Sequence, residues 1–192
     1  MMRIITGTAR GTKLETPEGM LTRPTSERAK EAVFSSLQFN IRGKRVLDLF
    51  AGSGQMGLEA LSRGAGSAVF CDMSAAAVAA VKNNAEKTHL TDRCRIIRGD
   101  SMAYLDSSSE KKMFDMVFID PPYAAGLVPK CLELLLAGDL LAPGAMIVCE
   151  TAKGDRPVNG NAELERRFCV IREAVYGAAL VTILRFGEEE TE

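Results

Sequence analysis

The chain of 192 residues is 46% hydrophobic and 26% charged, and its formal net charge at pH 7 is −1. A chain of this size can bury one substantial hydrophobic core, so we expect a single main domain. The sequence argues against a membrane or secreted protein, because no stretch reaches about 18 consecutive apolar residues and the first residues lack the apolar part of a signal peptide. We expect a soluble, cytoplasmic protein.

The charge is unevenly distributed along the chain. Residues 1–45 contain nine Lys or Arg against four Asp or Glu, whereas residues 46–192 contain fifteen against twenty-one. A basic segment on an otherwise acidic chain suits a partner with a phosphate backbone. The alternative is a charged face that only contacts solvent.

The first elements are short. Residues 2–14 indicate a hairpin, and prolines and glycines between residues 17 and 24 then interrupt regular structure. Apolar residues at helical spacing predict a helix over about 26–37. Arg28 and Lys30 are expected on its polar face.

From residue 44 the pattern changes to strands that alternate with helices. The predicted strands cover residues 45–50, 67–72, 94–98, 114–119 and 145–150. The predicted helices cover residues 56–62, about 74–87, 101–105 and 127–136. We expect a turn at Pro143-Gly144, just before the fifth strand. Repeated β-α-β units of this length imply a parallel sheet with helices on both faces.

The end of the chain differs from this alternation. Two extended runs, 167–176 and 180–186, are separated by three residues, which fits a hairpin and is too short for a parallel crossover. A mostly parallel sheet that ends in an antiparallel hairpin resembles the class I methyltransferases, whereas dinucleotide-binding Rossmann domains continue in parallel. The Gly-, Pro- and Asn-rich segment 151–161 is predicted to be a loop.

Neither the cysteines nor the histidine indicates a reactive centre. The five cysteines are odd in number, lie mostly in apolar runs and form no C-x-x-C pair, and His89 stands alone at the end of a polar helix. We therefore expect buried thiols in a reducing cytosol. A disulfide framework, a zinc site and a catalytic triad are all poorly supported.

A glycine-rich loop follows the first predicted strand. Residues 52–57 satisfy G-x-G-x-x-G, and Asp72 lies twenty residues after Gly52, a pattern that also occurs at nicotinamide cofactors. Asp48 argues against that cofactor. Its carboxylate, just before the glycine turn, would repel a pyrophosphate but favour the cationic amino group of S-adenosylmethionine.

An acidic residue stands at or near the carboxyl end of each of the first four predicted strands. Asp48, Asp72, Asp100 and Asp120 all stand at or near a strand's carboxyl end, where open α/β sheets bind ligands. Asp72 is expected to accept hydrogen bonds from both ribose hydroxyls, and Asp100 with Ser101 to meet the adenine. The alternative for each acid alone is a helix cap or a turn.

The tetrapeptide Asp120-Pro121-Pro122-Tyr123 follows the strand at 114–119. Two consecutive prolines cannot continue a hydrogen-bonded ladder, so the chain leaves the sheet at Asp120. The turn then offers a carboxylate, outward carbonyl oxygens and an aromatic face. This pocket suits a planar group with an NH₂, whose nitrogen becomes nucleophilic as acceptors take its hydrogens. The tetrapeptide resembles motif IV of the amino-group methyltransferases; the alternative is a turn that only ends a strand.

Five stretches of the chain together resemble the RsmD family, in that family's order. They are R-I-I-x-G at 3–7, R-G-x-K-L at 10–14, R-P-T-x-x-R-x-K-E-x-x-F at 23–34, D-x-F-A-G-S-G-x-x-G-L-E-A-L-S-R-G-A at 48–65 and D-P-P-Y at 120–123. The resemblance runs from Arg3 to Phe186. Two positions depart from it: Asp72 stands where the family more often has Glu, and Ala9 where many members have Trp.

The resemblance implies a bacterial enzyme that uses S-adenosylmethionine, without a metal, to methylate the exocyclic 2-amino group of a guanine. The implied partner is 16S ribosomal RNA, within the small ribosomal subunit or its assembly intermediate. Residues 41–192 would form a class I methyltransferase domain, and residues 1–40 a small amino-terminal extension that contacts RNA. The target guanine would be flipped out of its stack onto Tyr123.

The resemblance also implies roles for individual residues. The cofactor would be bound by Asp48, Phe50, Ala51, Gly52, Ser53, Gly54, Asp72, Met73, Asp100, Ser101 and Asp120. Catalysis would fall to Asp120, Pro121, Pro122 and Tyr123. RNA would be contacted by Arg10, Lys13, Arg23, Thr25 and Arg28.

Two alternative functions stay open at this point. One is a methyltransferase for another NH₂ acceptor, either DNA adenine or a protein glutamine, although such enzymes usually carry an added recognition domain. The other is a nucleotide-binding module without catalysis, against which the intact Asp120-Pro121-Pro122-Tyr123 argues.

Overall fold

The structure is a computed structural model that describes residues 2–17, 27–109, 111–122, 126–158 and 160–187. Its strands, in chain order, are β1 (Arg45–Leu49), β2 (Ser67–Asp72), β3 (Cys94–Arg98), β4 (Phe114–Ile119), β5 (Leu141–Ala152), β6 (Phe168–Tyr176) and β7 (Ala179–Phe186). Its helices are α1 (Glu27–Leu37), α2 (Gln55–Ser62), α3 (Ala75–Lys87), α4 (Ser101–Ser107), α5 (Leu127–Ala137) and α6 (Ala162–Arg167). A 3₁₀ turn at Thr91–Arg93 precedes β3.

The seven strands form one sheet in the order β3-β2-β1-β4-β5-β7-β6. Strands β1 to β5 pair in parallel with one another, and β7 pairs antiparallel with both β5 and β6. The predicted parallel sheet with a final antiparallel hairpin is confirmed. Successive strands are added on one side of β1 up to β3 and on its other side from β4 onwards, so the strand order reverses between β1 and β4. Sheets of this kind bind ligands at such a switch point, at the carboxyl ends of the strands.

The side chains of the central strands alternate between two hydrophobic layers. Val46 and Phe118 pack into the layer that α1, α2 and α3 complete. Leu47 and Val117 pack into the opposite layer, with α4, α5 and α6. Because both faces are covered, these strands are nearly continuous apolar runs, which is the pattern that made them recognisable in the sequence.

The first residues form the predicted hairpin. Arg3 and Lys13 make an antiparallel bridge, and the N–H of Ile4 donates to the carbonyl of Thr12 at 3.0 Å. Ile4 and Leu14 are buried in the same layer as Val46 and Phe118. The amino-terminal segment, meaning residues 2–17 together with α1, therefore packs on the sheet as part of its core.

Lys30 corrects one sequence prediction. It was expected on the exposed face of α1, but it is 1% exposed, and its Nζ donates to the carbonyl of Arg3 at 2.6 Å. Its Nζ also lies 3.7 Å from Oε2 of Glu59, which is fully buried in α2. A buried lysine is tolerated because a carboxylate and a carbonyl surround its ammonium group.

Glu59 joins the hairpin to the sheet's helices. Its carboxylate accepts hydrogen bonds from the N–H of Ile5 at 2.7 Å and of Thr6 at 3.0 Å. It also accepts one from Nε of Arg63 at 2.8 Å. Every oxygen of this buried acid is thereby used, and the hairpin is held in one position on α2.

Two further details differ from the sequence predictions. The predicted turn at Pro143-Gly144 is wrong as a strand boundary, because both residues lie inside β5. They form an irregularity in its pairing with β4, whose register shifts between Phe114 and Met116. Helix α6 was not predicted; it begins after Asn161, whose side chain accepts from the N–H groups of Glu163 at 3.1 Å and Leu164 at 3.2 Å.

Among the described residues, no helix is long and apolar enough to cross a membrane.

Candidate active site

The predicted acids meet at one edge of the sheet. Asp48 is the penultimate residue of β1, Asp72 is the last residue of β2, and Asp120 directly follows β4. Asp100 stands two residues after β3. These four strands are consecutive in the sheet. Burial raises the pKa of Asp48, and the charges of Asp120 and Asp72 add to that rise.

Asp48 is the most buried of these acids. Its Oδ2 accepts a hydrogen bond from the N–H of Gly57 at 2.9 Å, in the first turn of α2. Burial, reinforced by the charges of Asp120 and Asp72, raises the pKa of Asp48 to about 8, against the lowering effect of the Gly57 N–H. The Asp48 carboxylate thus already accepts a hydrogen bond from one of the helix N-terminal N–H groups that a pyrophosphate would bind. A nearby cation would favour its ionised form.

The loop between β1 and α2 has an unusual backbone. Phe50 and Gly52 both have positive φ, 58° and 55°. The left-handed conformation costs a residue other than glycine about 1–2 kcal/mol. A Cβ added to Gly52 would meet no atom closer than the carbonyl oxygen of Phe50 at 4.0 Å, so the backbone here is open to close approach. The predicted cofactor loop therefore combines a strained backbone with an accessible one. Strained backbone conformations cluster at functional sites.

The last glycine of the motif has a packing role. A Cβ on Gly57 would lie 2.3 Å from Cε1 of Phe70 on β2 and 3.2 Å from Oδ2 of Asp48. Gly57 therefore lets α2 approach the sheet and lets its N–H reach Asp48. Met56, the residue before Gly57, lines a cleft beside Asp120.

Asp72 fixes the glycine loop. Its Oδ2 accepts from the N–H of Gly52 and its Oδ1 from the N–H of Ser74, both at 2.9 Å. Each carboxylate oxygen can accept a further hydrogen bond, so the predicted ribose contact is compatible with this geometry. The next residue, Met73, is 71% exposed and presents an apolar surface beside Asp72.

Asp100 and Ser101 have local structural roles at the start of α4. The exposed Asp100 caps this helix, accepting from the N–H of Ala103 at 2.9 Å. Ser101 is buried and hydrogen-bonded to the thiol of Cys71, whose pKa is raised by burial. Both residues stand at the predicted edge of the sheet, and their contact with adenine stays a prediction.

The cofactor loop also contacts the amino-terminal segment. Ala51, Ser53 and Gly54 are buried, and Oγ of Ser53 donates to the sulfur of Met2 at 2.9 Å. Asn84 of α3, which is fully buried, donates from Nδ2 to the carbonyl of Ser53 at 2.9 Å.

Asn84 also binds Glu15 of the amino-terminal segment. It donates to the Glu15 carbonyl at 3.0 Å and accepts from the Glu15 N–H at 2.7 Å. Sequence reasoning missed Asn84, although an amide within an alanine-rich helix was a usable signal.

A cleft opens beside Asp120, between α1, α2 and the strands β4, β5 and β7. It is a shallow cleft that is open to solvent. We call it the acceptor cleft, and it is lined by Val33, Met56, Phe118, Ile119, Asp120, Val148, Glu150 and Val181. The ring of Phe34 in α1 packs on that of Phe118, with 5.7 Å between centroids. The amino-terminal segment therefore builds one wall of this cleft, which the sequence did not predict.

The predicted acceptor turn is partly described. Asp120 is half-buried at the mouth of the acceptor cleft, Pro121 is buried and Pro122 is exposed. Tyr123 lies outside the described residues. Glu150 is the second carboxylate of the cleft, and sequence reasoning placed it only as the end of a strand.

The predicted RNA contacts lie on the amino-terminal segment. Arg10 and Lys13 are exposed on the hairpin, and Arg28 is exposed on α1. Arg23 and Thr25 lie outside the described residues.

The described residues include no group of three or more His, Cys, Asp or Glu arranged to hold a metal ion. All five cysteines are free thiols, and burial raises the pKa of Cys131 to about 12. His89 is exposed at the end of α3, with a φ of 57°.

Comparisons with known proteins agree with the fold and the motifs. Residues 2–185 match the family described as conserved hypothetical protein 95. Ribosomal RNA small subunit methyltransferase D of Escherichia coli K12 is 35% identical over 177 residues, which cover 92% of this chain and 85% of that protein. The solved structure of yhhF from Escherichia coli is 33% identical with a TM-score of 0.84, covering 97% of this chain and 98% of that one.

The fold extends to more distant proteins. An RNA methyltransferase from Salinibacter ruber, crystallised with S-adenosyl-L-homocysteine, is 15% identical and has a TM-score of 0.66. The alignment covers 88% of this chain and 97% of that one. The class I methyltransferase fold is thus shared even where little sequence is.

Proposed function

The chain belongs to the RsmD family, described as conserved hypothetical protein 95, and from this premise we propose that it methylates a guanine of 16S ribosomal RNA at its exocyclic 2-amino group. S-adenosylmethionine is the methyl donor. The observation that supports the proposal is the position of Asp120, which lines the acceptor cleft and directly follows β4, the strand paired with the Asp48 strand β1. One carboxylate thereby faces both the cofactor edge and the acceptor cleft.

The residues at the cofactor edge fit S-adenosylmethionine chemically. Asp48 offers a carboxylate to the cationic amino group, and Gly52 offers open backbone. Asp72 accepts from ribose hydroxyls, and the exposed Met73 covers the adenine. When bound, S-adenosylmethionine supplies an electrophilic methyl group. The cofactor set also includes Phe50, Ala51, Ser53, Gly54, Asp100, Ser101 and Asp120.

Asp120 acts on the acceptor nitrogen. The lone pair of a guanine 2-amino group is delocalised into the ring, so this nitrogen is a weak nucleophile. A hydrogen bond from the amine to Asp120 localises the lone pair, and the carboxylate receives the proton as the new N–C bond forms. Pro121 and Pro122 contribute no N–H, so their backbone offers the amine acceptors only. Tyr123 stacks on the flipped base.

The basic amino-terminal segment binds the RNA. Arg10, Lys13 and Arg28 are exposed, and with Arg23 and Thr25 they form the proposed RNA contacts. In this division residues 1–40 are the RNA-contacting extension and residues 41–192 the methyltransferase domain. The substrate is the small ribosomal subunit or its assembly intermediate, and the protein works in the cytoplasm.

Product analysis tests this function. Small ribosomal subunits from a strain that lacks the protein, and naked 16S RNA, are incubated with the chain and radiolabelled S-adenosylmethionine. We expect the label in N2-methylguanosine after digestion to nucleosides. Label in a methylated adenine, in DNA or in protein glutamine would contradict the proposal, as would the absence of transfer to either RNA substrate.

A further inference from the structure

We propose that Glu150 recognises the Watson–Crick edge of the acceptor base, accepting hydrogen bonds from N1–H and N2–H of guanine, and thereby makes the acceptor cleft specific for guanine. This inference rests on the proposed function and assigns the selection of the base to one residue. It follows from where Glu150 lies relative to Asp120, from what surrounds the two acids and from the hydrogen-bonding pattern of guanine.

Glu150 lies in β5, and Asp120 directly follows β4, the parallel neighbour of β5. Ile119 of β4 pairs with Cys149 of β5, and each acid is the next residue along the chain. On the other side, Glu150 pairs with Val181 of β7. The row Asp120, Glu150, Val181 thus crosses the carboxyl edge of the sheet.

The strand alternation directs both acids to the same face. Phe118 and Val148, two residues before Asp120 and Glu150, both pack in the layer of α1 and α2. Successive side chains of a strand point to opposite faces, so residues two apart share a face. Asp120 and Glu150 accordingly both line the acceptor cleft.

Apart from the two acids, the described lining of the acceptor cleft is apolar. The remaining described lining residues are Val33, Met56, Phe118, Ile119, Val148 and Val181. In a region of low dielectric, a hydrogen bond to a carboxylate is stronger than in water, and an N–H left without an acceptor is costly. The polar selection of a base in the described part of this cleft therefore falls to two carboxylates, which only accept hydrogen bonds when ionised.

Guanine matches this pair of acceptors. Its N1–H and one hydrogen of its 2-amino group point in parallel from the same edge, which suits the two oxygens of one carboxylate. The second hydrogen of the amino group points away from N1, towards a separate acceptor. With Glu150 on the first pair and Asp120 on the remaining hydrogen, all three N–H groups are bound. Adenine and cytosine present an unprotonated ring nitrogen in place of N1–H, and that nitrogen repels a carboxylate.

A base analogue isolates this contact. 2-Aminopurine keeps the 2-amino group but has an unprotonated N1. Once the methylated guanine is mapped, small subunits are reconstituted from 16S RNA ligated to carry guanine or 2-aminopurine at that position. Single-turnover methylation of both substrates is measured for the wild type and for Glu150→Gln, whose amide donates to an unprotonated N1 and still accepts from the 2-amino group.

We expect the wild type to prefer guanine by about tenfold to a hundredfold, as a bidentate base contact provides. Glu150→Gln should lose that preference or reverse it towards 2-aminopurine. Glu150→Asp, which keeps the charge, should retain the guanine preference. The matched control is Glu173→Gln on β6, whose carboxylate lies 3.5 Å from Nη2 of Arg156 and outside the acceptor cleft; it should keep the wild-type ratio.

The two hypotheses fail in different ways. An unchanged ratio of guanine to 2-aminopurine in Glu150→Gln overturns the role of Glu150, while methylation of guanine by the wild type leaves the proposed function intact. A wild type that does not methylate guanine in either substrate overturns the proposed function itself. Cofactor binding by calorimetry verifies that each variant is folded, because Glu150 has no assigned part in holding the cofactor.

Discussion

Asp48 carries a conflict between stability and function. Its buried carboxyl has a pKa of about 8, because burial and two neighbouring acids favour the neutral form. The proposed cofactor contact requires the ionised form. The protein therefore maintains an acid that is costly to ionise without a cation, which is a common arrangement at functional sites.

We predict that Asp48→Asn stabilises the cofactor-free protein at high pH. A carboxyl whose folded pKa lies above its unfolded value contributes stability below the unfolded pKa, near 4, and loses it as pH rises to about 8. Asn escapes this loss and can still accept the hydrogen bond from Gly57. From pH 4.5 to pH 8, the stability of Asp48→Asn relative to wild type should increase by more than about 1.4 kcal/mol, the equivalent of one pKa unit.

Urea denaturation across this pH range measures the effect, and S-adenosylmethionine binding measures its functional cost. Asp115→Asn is the contrasting variant, because Arg45 lowers the pKa of Asp115 and its removal should cost stability at neutral pH. If the relative stability of Asp48→Asn does not rise with pH, or if its cofactor affinity equals that of wild type, the account of Asp48 is incorrect.

At the scale of elements, the amino-terminal segment is more than an RNA-binding arm. The hairpin is fixed to α2 through Glu59, and α1 contributes Val33 to the acceptor cleft. Lys30 is held between Arg3 and Glu59, and burial lowers its pKa while Glu59 opposes that shift. The element that is proposed to bind RNA thus also shapes the cleft that is proposed to receive the base.

We predict that Glu59→Gln destabilises the protein by about 3–5 kcal/mol, since it leaves the ammonium of Lys30 buried without its charged partner. Guanidinium denaturation measures the loss. The double variant Lys30→Met with Glu59→Gln should recover part of it, because the uncompensated charge is gone. Glu86→Gln, on the exposed side of α3, should change stability by less than about 0.5 kcal/mol. A Glu59→Gln loss no larger than that of the control would contradict this network.

The elements show what sequence patterns can and cannot provide. The parallel strands were predictable because burial on both faces made them apolar runs bounded by turn residues, and β2 and β3 match their predicted limits. The sequence did not reveal the roles of Lys30, Asn84 and Glu150. The reason is that the neighbours of each side chain come from distant parts of the chain. The Pro143-Gly144 prediction failed for the same reason, because β5 already begins at Leu141, which pairs with the distant Phe114 of β4 before both residues.

At the scale of the whole molecule, the first part of the chain and the remainder carry opposite net charges. The first 45 residues carry an excess of basic groups, and the remainder an excess of acidic ones. The basic segment attracts a phosphate backbone, whereas the predicted cofactor acids belong to the acidic remainder of the chain. The glycine motif, the acids and the D-P-P-Y turn were recognisable in sequence. The amino-terminal wall of the acceptor cleft was not, because only the folded chain brings α1 over β4.

We predict that Arg10→Glu combined with Arg28→Glu weakens RNA binding steeply and reduces its dependence on salt, because two phosphate contacts are lost. Binding to 16S RNA at several salt concentrations measures both quantities. Lys130→Glu is the matched control, since Lys130 is exposed on α5 against the opposite face of the sheet. Cofactor affinity should stay at the wild-type value in both the double variant and the control. A salt slope equal to that of wild type would remove these residues from the RNA site.

The central claim is that Asp120 acts in the chemical step of methyl transfer. The most direct measurement is single-turnover methylation of small subunits by Asp120→Ala, with cofactor and RNA both saturating. We expect at least roughly a hundredfold slower transfer, the lower range for a positioned proton acceptor, with cofactor affinity largely retained. Asp115→Ala, at the opposite end of β4, should transfer at nearly the wild-type rate. A near-wild-type rate for Asp120→Ala would contradict the account and reduce Asp120-Pro121-Pro122-Tyr123 to a turn.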